Sequence, residues 1–217
     1  MTTRRSVVAA LGAGSLTALS GCLGFVTGSE PAEFSSEPAH VPESVLSQTG
    51  YSSNGNDEMV IEEELEAMGI SRQVVVTNYQ TEYEKAVDLG PLGNEQAAVF
   101  TALTTPQASV LGREFNPVAD MSSRELAEMV QDNYDGFGEL DHLDDDTVTI
   151  NETDTTVSTF ETKATLTGID ETIDLRVLIT ESVELGDDLL VTVGGYPEMT
   201  TERDNILQLM ANVVPAE

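Results

Sequence analysis

The clearest pattern in the sequence is a recurrence of apolar residues at every second position in its second half. It extends over residues 173–179 and returns at residues 189–193, 148–150 and 160–166. A period of two is typical of a β-strand with one face in a core. Because turns such as Gly186-Asp187 are short, we expect these strands to pair as antiparallel neighbours.

Three segments of the first half also predict strands, because they are rich in Val, Tyr, Thr and Phe. They are residues 59–68, 74–87 and 97–105. The acidic run at residues 62–64 leaves a helix open as an alternative for the first of them. Residues 52–57 are polar, and residues 141–146 are acidic, so both segments are predicted to be loops.

Three further segments have apolar residues at helical spacing. The first is short and covers residues 40–50. The second begins with Ser122-Ser123-Arg124-Glu125, a capping-box pattern in which a serine oxygen and a glutamate satisfy backbone amides reciprocally, and it runs to Gly136. The third begins at residues 201–204 and ends before Pro215, with a predicted buried stripe of Ile206, Leu207, Met210 and Val214.

The order strands, helix, strands, helix predicts an α+β fold, in which amphipathic helices cover an antiparallel β-sheet as a two-layer or an α/β/α sandwich. We expect a single domain over residues 41–217. The order and size of the elements resemble the PsbP-type sandwich. That resemblance is an analogy of fold and implies no function.

The N-terminus has the pattern of an export signal. Arg4 and Arg5 stand directly before an uncharged apolar run over residues 7–19. This run is shorter than the roughly 20 residues that a membrane-spanning helix needs, and it fits the apolar region of a signal peptide. The arginine pair resembles a twin-arginine export signal, which passes folded cargo.

The run ends at Leu19-Ser20-Gly21-Cys22, which resembles the lipobox of lipoproteins. We therefore predict removal of residues 1–21 and lipidation of Cys22, since a thiol can be alkylated and the small residues before it admit a peptidase. An incidental small hydrophobe is the alternative. Residues 22–40 contain many Gly, Ser and Pro residues and are predicted to be a flexible tether. This places the protein at the outer face of the cell membrane.

The charge of the chain indicates its surroundings. It has 39 acidic and nine basic residues, a net charge of −30, and 40% hydrophobic residues. The share of hydrophobic residues is ordinary, so the acidic residues do not take the place of a hydrophobic core. We expect an acidic surface whose charges repel one another, and this repulsion is screened at molar salt, where the Debye length is about 3 Å. Such a surface is typical of a halophile, and a merely acidic protein of a mesophile is the alternative. The same charge argues against nucleic-acid binding, which needs clustered Lys and Arg.

The arginine pair and the lipobox, with the motif Leu-Thr-Thr-Pro at residues 103–106 and the segment 112–117, carry a further resemblance. The chain is similar to an uncharacterised family of twin-arginine-exported lipoproteins of halophilic archaea. This resemblance implies the export route and the anchor, and it implies no activity.

Candidate chemistry is sparse. Weak candidates for metal ligands are Asp141, His142, Asp144 and Asp146; their spacing does not fit an EF-hand, so a solvated acidic turn is the alternative. Asn151 begins an Asn-Glu-Thr sequon and is a candidate for glycosylation. Nucleophile elbows, P-loops and dinucleotide fingerprints do not occur, and we predict neither a catalytic residue nor a cofactor.

These observations predict a membrane-anchored lipoprotein with a non-enzymatic role in binding or in the cell envelope. Its protein or small-molecule partner is not predicted. The alternative is a lipid-anchored hydrolase or solute-binding component that uses carboxylates in a cleft. A deep pocket with converging acids of raised pKa would favour this alternative.

Overall fold

A computed structural model describes residues 31–67, 70–107, 109–110, 113–114, 118–119, 121–133, 138–165 and 171–216. The predicted signal peptide with its arginine pair, the lipobox with Cys22, and the tether up to residue 30 lie outside the described residues, as does most of the segment 112–117. Within the described residues the chain forms thirteen strands and three α-helices.

In chain order the strands are β1 (Ala32–Ser35), β2 (Ala39–His40), β3 (Ser52–Ala67), β4 (Ile70–Asp88), β5 (Asn94–Pro106), β6 (Ser109–Val110), β7 (Arg113–Glu114), β8 (Asp141–Ile150), β9 (Thr153–Thr165), β10 (Thr172–Thr180), β11 (Val183–Leu185), β12 (Asp188–Pro197) and β13 (Val214–Pro215). The helices are α1 (Glu43–Thr49), α2 (Ser123–Asn133) and α3 (Arg203–Met210). A 3-10 turn, Gly90–Leu92, connects β4 and β5.

Nine of the strands form one mixed sheet in the order β1-β4-β5-β12-β10-β9-β8, with β3 added to β4 and β11 added to β12. Along this path β5, β12, β10, β9 and β8 are antiparallel neighbours. Two small ribbons, β2–β13 and β6–β7, lie outside this sheet. Among the described strands of this sheet, β1, β3, β8 and β11 each have one partner, and the long strands β3 and β8 thus each leave one edge without a neighbour.

The described chain divides into two compact units. One contains the described residues up to Glu33 together with Glu62–Val75, which is the far part of the β3–β4 hairpin. The other contains Phe34–Ile61 and the chain from Val76 onward. All of the clusters discussed below belong to the second unit.

The predicted helix-covered α+β sandwich is wrong, because the protein is mostly β. The three described helices have seven, eleven and eight residues, whereas β4 alone has nineteen. Residues 52–57 and 141–146, predicted to be loops, belong to the strands β3 and β8. The comparison with PsbP-type sandwiches rested on the order and size of the predicted elements, and no finding confirms it.

The period of two in β10 and β12 gives the sheet two separate apolar clusters. Leu178 and Leu190 are fully buried in a cluster that includes residues of α1 and α3. Their neighbours Val177 and Val191 belong to a second cluster, which contains Leu126 of α2. Successive strand residues face opposite sides of a sheet, so α2 packs on the face opposite to α1 and α3. Burying each such side chain contributes about 1.5 to 3 kcal/mol.

Two of the three predicted helices each have one expected end, whereas Gly136, the predicted end of the second helix, lies outside the described residues. The C-cap of α1 is Gly50, whose φ of 78° is left-handed, a conformation that glycine adopts without strain. The capping box before α2 is confirmed, because Glu125 Oε2 accepts a hydrogen bond from the Ser122 amide at 2.9 Å. The Glu125 amide donates to Ser122 Oγ at 3.4 Å in return.

The last helix is shorter than predicted. It ends at Met210, and Val214 is exposed in β13 rather than buried in a helical stripe. Leu209, absent from the predicted stripe, is fully buried, whereas Leu207 is half-buried. No described helix combines the length and the apolar character that crossing a membrane requires.

The boundary between tether and domain also differs from the prediction. The strands β1 and β2 lie within residues 22–40, the predicted tether. The Ala216 amide donates to Pro38 O at 2.9 Å, beside the β2–β13 ribbon. The predicted tether is therefore too long at its C-terminal end, and the folded chain starts before residue 41.

Candidate functional site

The acidic segment that was the candidate metal site is the outer strand β8. Its first seven residues are exposed, and a β-bulge interrupts its register with β9 between His142 and Asp144. Among the residues that the structure describes, no three or more His, Cys, Asp or Glu side chains are grouped so that they could hold a metal ion. The structure therefore does not bring Asp141, His142, Asp144 and Asp146 together as a ligand set.

A different polar chain starts from β8. His142 Nε2 lies 2.8 Å from Asp145 Oδ1, and the Ser158 hydroxyl donates to the same oxygen. The Ser158 and Ser123 hydroxyl oxygens lie 2.7 Å apart, which links β9 to the first turn of α2. Hydrogen bonds from Ser158 and His142 hold the pKa of Asp145 below its ordinary value.

This chain does not have the order of a catalytic triad. In a triad the imidazole contacts the serine and accepts its proton, and the carboxylate orients the imidazole. Here the Asp145 carboxylate lies between the serine and the imidazole, and Ser158 is only 2% exposed. The His142 ring packs edge-on against Phe160, with ring centres 5.5 Å apart. The arrangement fixes β8 to β9 and α2.

A second cluster surrounds a buried ion pair that sequence spacing did not indicate. Lys85 Nζ contacts both carboxylate oxygens of Glu202, at 2.8 and 2.9 Å, and Glu202 is 7% exposed. Asn205 Nδ2 donates to Glu202 Oε2 at 2.9 Å. Lys85 Nζ also lies 5.6 Å from the centre of the Tyr51 ring, within cation–π range. Burial, and then the Glu202 carboxylate, raise the pKa of Tyr51.

Arg203, the next residue after Glu202, connects α3 to the other end of the sheet. Its guanidinium donates to Thr159 Oγ1 at 2.9 Å and lies 3.4 Å from Asp146 Oδ2. One of the candidate metal ligands is thus engaged in an ion pair on the surface. Such exposed pairs contribute at most about 1 kcal/mol.

Two open depressions lie near the β2–β13 ribbon. One, of about 500 Å³, is lined by residues 35–38, Tyr79 and Ala216. The other, of about 600 Å³, lies between the start of α1 and the strands β3 and β4, with Tyr83 in its wall. Tyr83 Oη accepts a hydrogen bond from the Val41 amide at 2.8 Å. Among the described residues that line them, the first depression has one carboxylate, Glu37, and the second has one, Glu43.

The candidate glycosylation site lies at the turn between β8 and β9. Asn151 and Glu152 are exposed and have φ values of 49° and 63°, a left-handed pair typical of a tight hairpin turn. Asn151 Nδ2 donates to Glu184 O at 3.1 Å. The amide carries two hydrogens, so this bond leaves one of them for a glycan, and glycosylation of Asn151 stays a prediction.

The strand β3, at the opposite end of the sheet from β8, exposes apolar side chains. Met59, Val60 and Ile61 are consecutive, and their exposed fractions are 39%, 55% and 42%. Sequence analysis identified this segment as a strand without indicating that both of its faces meet solvent. The sequence signal that could have indicated this exposure is a run of three apolar residues with acidic residues on both sides, Asp57-Glu58 before it and Glu62 after it.

The fold and these clusters define a mostly β protein with an acidic surface, whose polar clusters fix its edge strand β8 and its short helices. A family model described as a domain of unknown function (DUF6517) matches residues 38–214, and the chain belongs to this family. The matched residues extend from just before β2 to the first residue of β13, the two strands that pair with each other in the small ribbon. No curated protein matches the chain.

Proposed function

We propose that the protein is a haloarchaeal lipoprotein, exported by the twin-arginine route and held at the outer face of the membrane by a lipid on Cys22. The observation that carries the proposal is the order of an arginine pair, an uncharged run and Leu19-Ser20-Gly21-Cys22 at the N-terminus. One lipid chain adds about 0.8 kcal/mol of membrane affinity per buried methylene group.

The distribution of acids supports a salt-rich environment. Among the described residues the buried carboxylates are Asp188 and Glu202. Asp188 accepts a hydrogen bond from the Glu37 amide at 2.7 Å, and Glu202 is paired with Lys85. The other acids whose exposure the structure describes are at least partly exposed and would repel one another at low salt.

We further propose that the domain has a binding role and performs no reaction. What supports a binding role is the exposed apolar segment of β3, since adjacent apolar side chains that are exposed together, unlike single ones, mark interaction sites. The alternative, a hydrolase or solute-binding component, needs at least two carboxylates in one cleft. Each of the two depressions has one such carboxylate in its described lining.

The anchor is tested by expressing the full chain in a halophilic archaeal host, separating membranes from medium, and measuring the intact mass. We expect the wild-type chain on membranes, starting at residue 22 and heavier by a lipid. Cys22→Ser should be released into the medium or remain an uncleaved precursor. Ser20→Ala is the matched control, because it keeps a small side chain in the lipobox and should stay anchored.

An unchanged lipid-extractable pool of Cys22→Ser would contradict lipidation. The double variant Arg4→Lys/Arg5→Lys should stop export, and normal surface levels of it would contradict the twin-arginine route. Turnover of an envelope substrate by the purified protein would contradict the non-enzymatic role.

A further inference from the structure

The edge strands β8 and β3 of the nine-stranded sheet are built differently. A free edge presents unpaired backbone N–H and C=O groups, and proteins protect such edges with charges and bulges. The edge strand β8 has both protections, an aspartate-rich segment and the bulge after His142. The edge strand β3, which pairs with β4 alone among the described strands, exposes Met59, Val60 and Ile61 instead.

Hydrogen bonds to β4 show which face each of these side chains occupies. Asn56 Nδ2 donates to Thr81 Oγ1 at 3.2 Å, and Tyr79 Oη donates to Glu58 Oε1 at 3.1 Å. Asn56 and Glu58 therefore share one face, and Val60 follows them at the strand period of two. Asp57, Met59 and Ile61 lie on the other face by the same alternation. One face of the edge thus presents Glu58 followed by one apolar side chain, and the other presents Asp57 followed by two.

Charge decides what kind of strand fits this edge. An antiparallel second copy centred on Val60 would place Glu58 opposite Glu62, and like charges directly opposite each other destabilise a strand pair. A partner with two basic residues opposite Asp57 and Glu58, followed by apolar residues opposite residues 59–61, gives complementary pairs on both faces. Both carboxylates are exposed and so accessible to such a partner.

We propose that the free edge of β3 at residues 57–61 binds an extended protein segment, in which basic residues flank apolar ones, by strand addition. This inference rests on the proposed binding role and names the class of its partner. Main-chain hydrogen bonds to the edge provide affinity in this mode of recognition, and alternate side chains provide specificity.

The probe is a labelled peptide, Lys-Lys-Val-Ile-Val-Lys-Lys, whose near-symmetry suits either strand direction. Its binding to the full-length chain is measured by fluorescence anisotropy at molar salt, where attraction between distant charges is screened. We expect saturable binding. A peptide with proline in place of the central isoleucine cannot donate at that position or keep the strand ladder, and it should bind at least about tenfold more weakly.

The decisive comparison is between Val60→Lys and its matched control, Leu143→Lys. Both change one exposed apolar residue of an edge strand into a lysine, and Leu143 of β8 is 43% exposed. The general electrostatic effect of the new charge is therefore the same in both. We expect Val60→Lys to weaken peptide binding at least about tenfold, and Leu143→Lys to stay within about twofold. Circular dichroism spectra of both variants should match the wild type.

Three results would overturn the proposal: no binding of the peptide, equal weakening in the two variants, or equal binding of the proline peptide. A wild-type dimer in sedimentation that Val60→Lys converts to a monomer would also overturn it, because the edge would then pair with a second copy. Membrane attachment is measured separately, and Val60→Lys should remain anchored. A chain that binds the peptide without being anchored would contradict the lipoprotein proposal and leave this inference standing.

Discussion

The buried pair of Lys85 and Glu202 allows the sharpest test of how this acidic protein is held together. Lys85→Met keeps the length and apolar stem of the side chain and removes the ammonium group. Glu202, which is 7% exposed, would then lose the cation that contacts both of its oxygens. Removing one partner of a buried ion pair costs about 3 to 5 kcal/mol, because the other charge stays buried without compensation.

Two features of the site indicate that the loss in free energy of unfolding lies at the lower end of this range. The Lys85 side chain is 21% exposed, so water reaches part of the site. Asn205 Nδ2 also continues to donate to Glu202 Oε2. We therefore expect Lys85→Met to lower the free energy of unfolding by about 3 kcal/mol. Adding Glu202→Gln should recover more than about 1 kcal/mol of that loss, because it removes the uncompensated charge.

The assay is urea unfolding at constant molar salt, followed by circular dichroism. The control is Lys163→Met, the only other lysine of the chain. Lys163 is largely exposed and lies 3.5 Å from Asp174, so its loss should cost under about 1 kcal/mol. Equal losses for Lys85→Met and Lys163→Met, or strictly additive effects of Lys85→Met and Glu202→Gln, would refute this reasoning.

Two further predictions concern the packing of α3 and the edge strand β8. A Cβ on Gly194 would lie 2.3 Å from Ile206 Cγ2, so Gly194→Ala should lower stability by about 1 to 3 kcal/mol. Gly195→Ala, which meets nothing closer than 3.3 Å, should cost clearly less, and thermal unfolding compares the two. The hydrogen bond from Ser158 lowers the pKa of Asp145. The ionised Asp145 carboxylate therefore stabilises the fold fully above the ordinary carboxyl pKa of about 3.9. This stabilisation is lost as the pH falls through the lowered pKa. Asp145→Asn should therefore unfold with less dependence on pH below about pH 4, and an unchanged acid dependence in urea unfolding would contradict this.

The clearest strands in the sequence are those with a regularly apolar face in a core. In residues 173–179 and 189–193 that face belongs to the cluster around α2, and polar residues on the other face leave a period of two in the sequence. Residues 52–57 and 141–146 lack this signal because the edge strands β3 and β8 are exposed there on both faces. Their strand conformation comes from backbone pairing with β4 and β9, which side-chain patterns do not encode.

Local sequence patterns also could not predict contacts between distant parts of the chain. Lys85 and Glu202 are 117 positions apart, so no motif connects them. Val214 extends the helical spacing of α3 and was assigned to that helix. In the structure it pairs with His40 in the β2–β13 ribbon. This pairing depends on residues at the other end of the chain, which the local spacing around Val214 does not include. The candidate metal ligands of β8 have other partners, since His142 contacts Asp145 and Asp146 contacts Arg203.

The ribbon formed by β2 and β13 has a practical consequence for labelling the protein. It joins Ala39 to Pro215, so the C-terminal end of the chain emerges beside the segment that follows Phe34. If Cys22 bears a lipid, twelve residue steps separate it from Phe34, a span of at most about 42 Å even when fully extended. A fluorophore or affinity tag fused after residue 217 would thus lie beside the start of the folded chain, and the exposed turn at Asn151-Glu152 offers an independent place for a second probe.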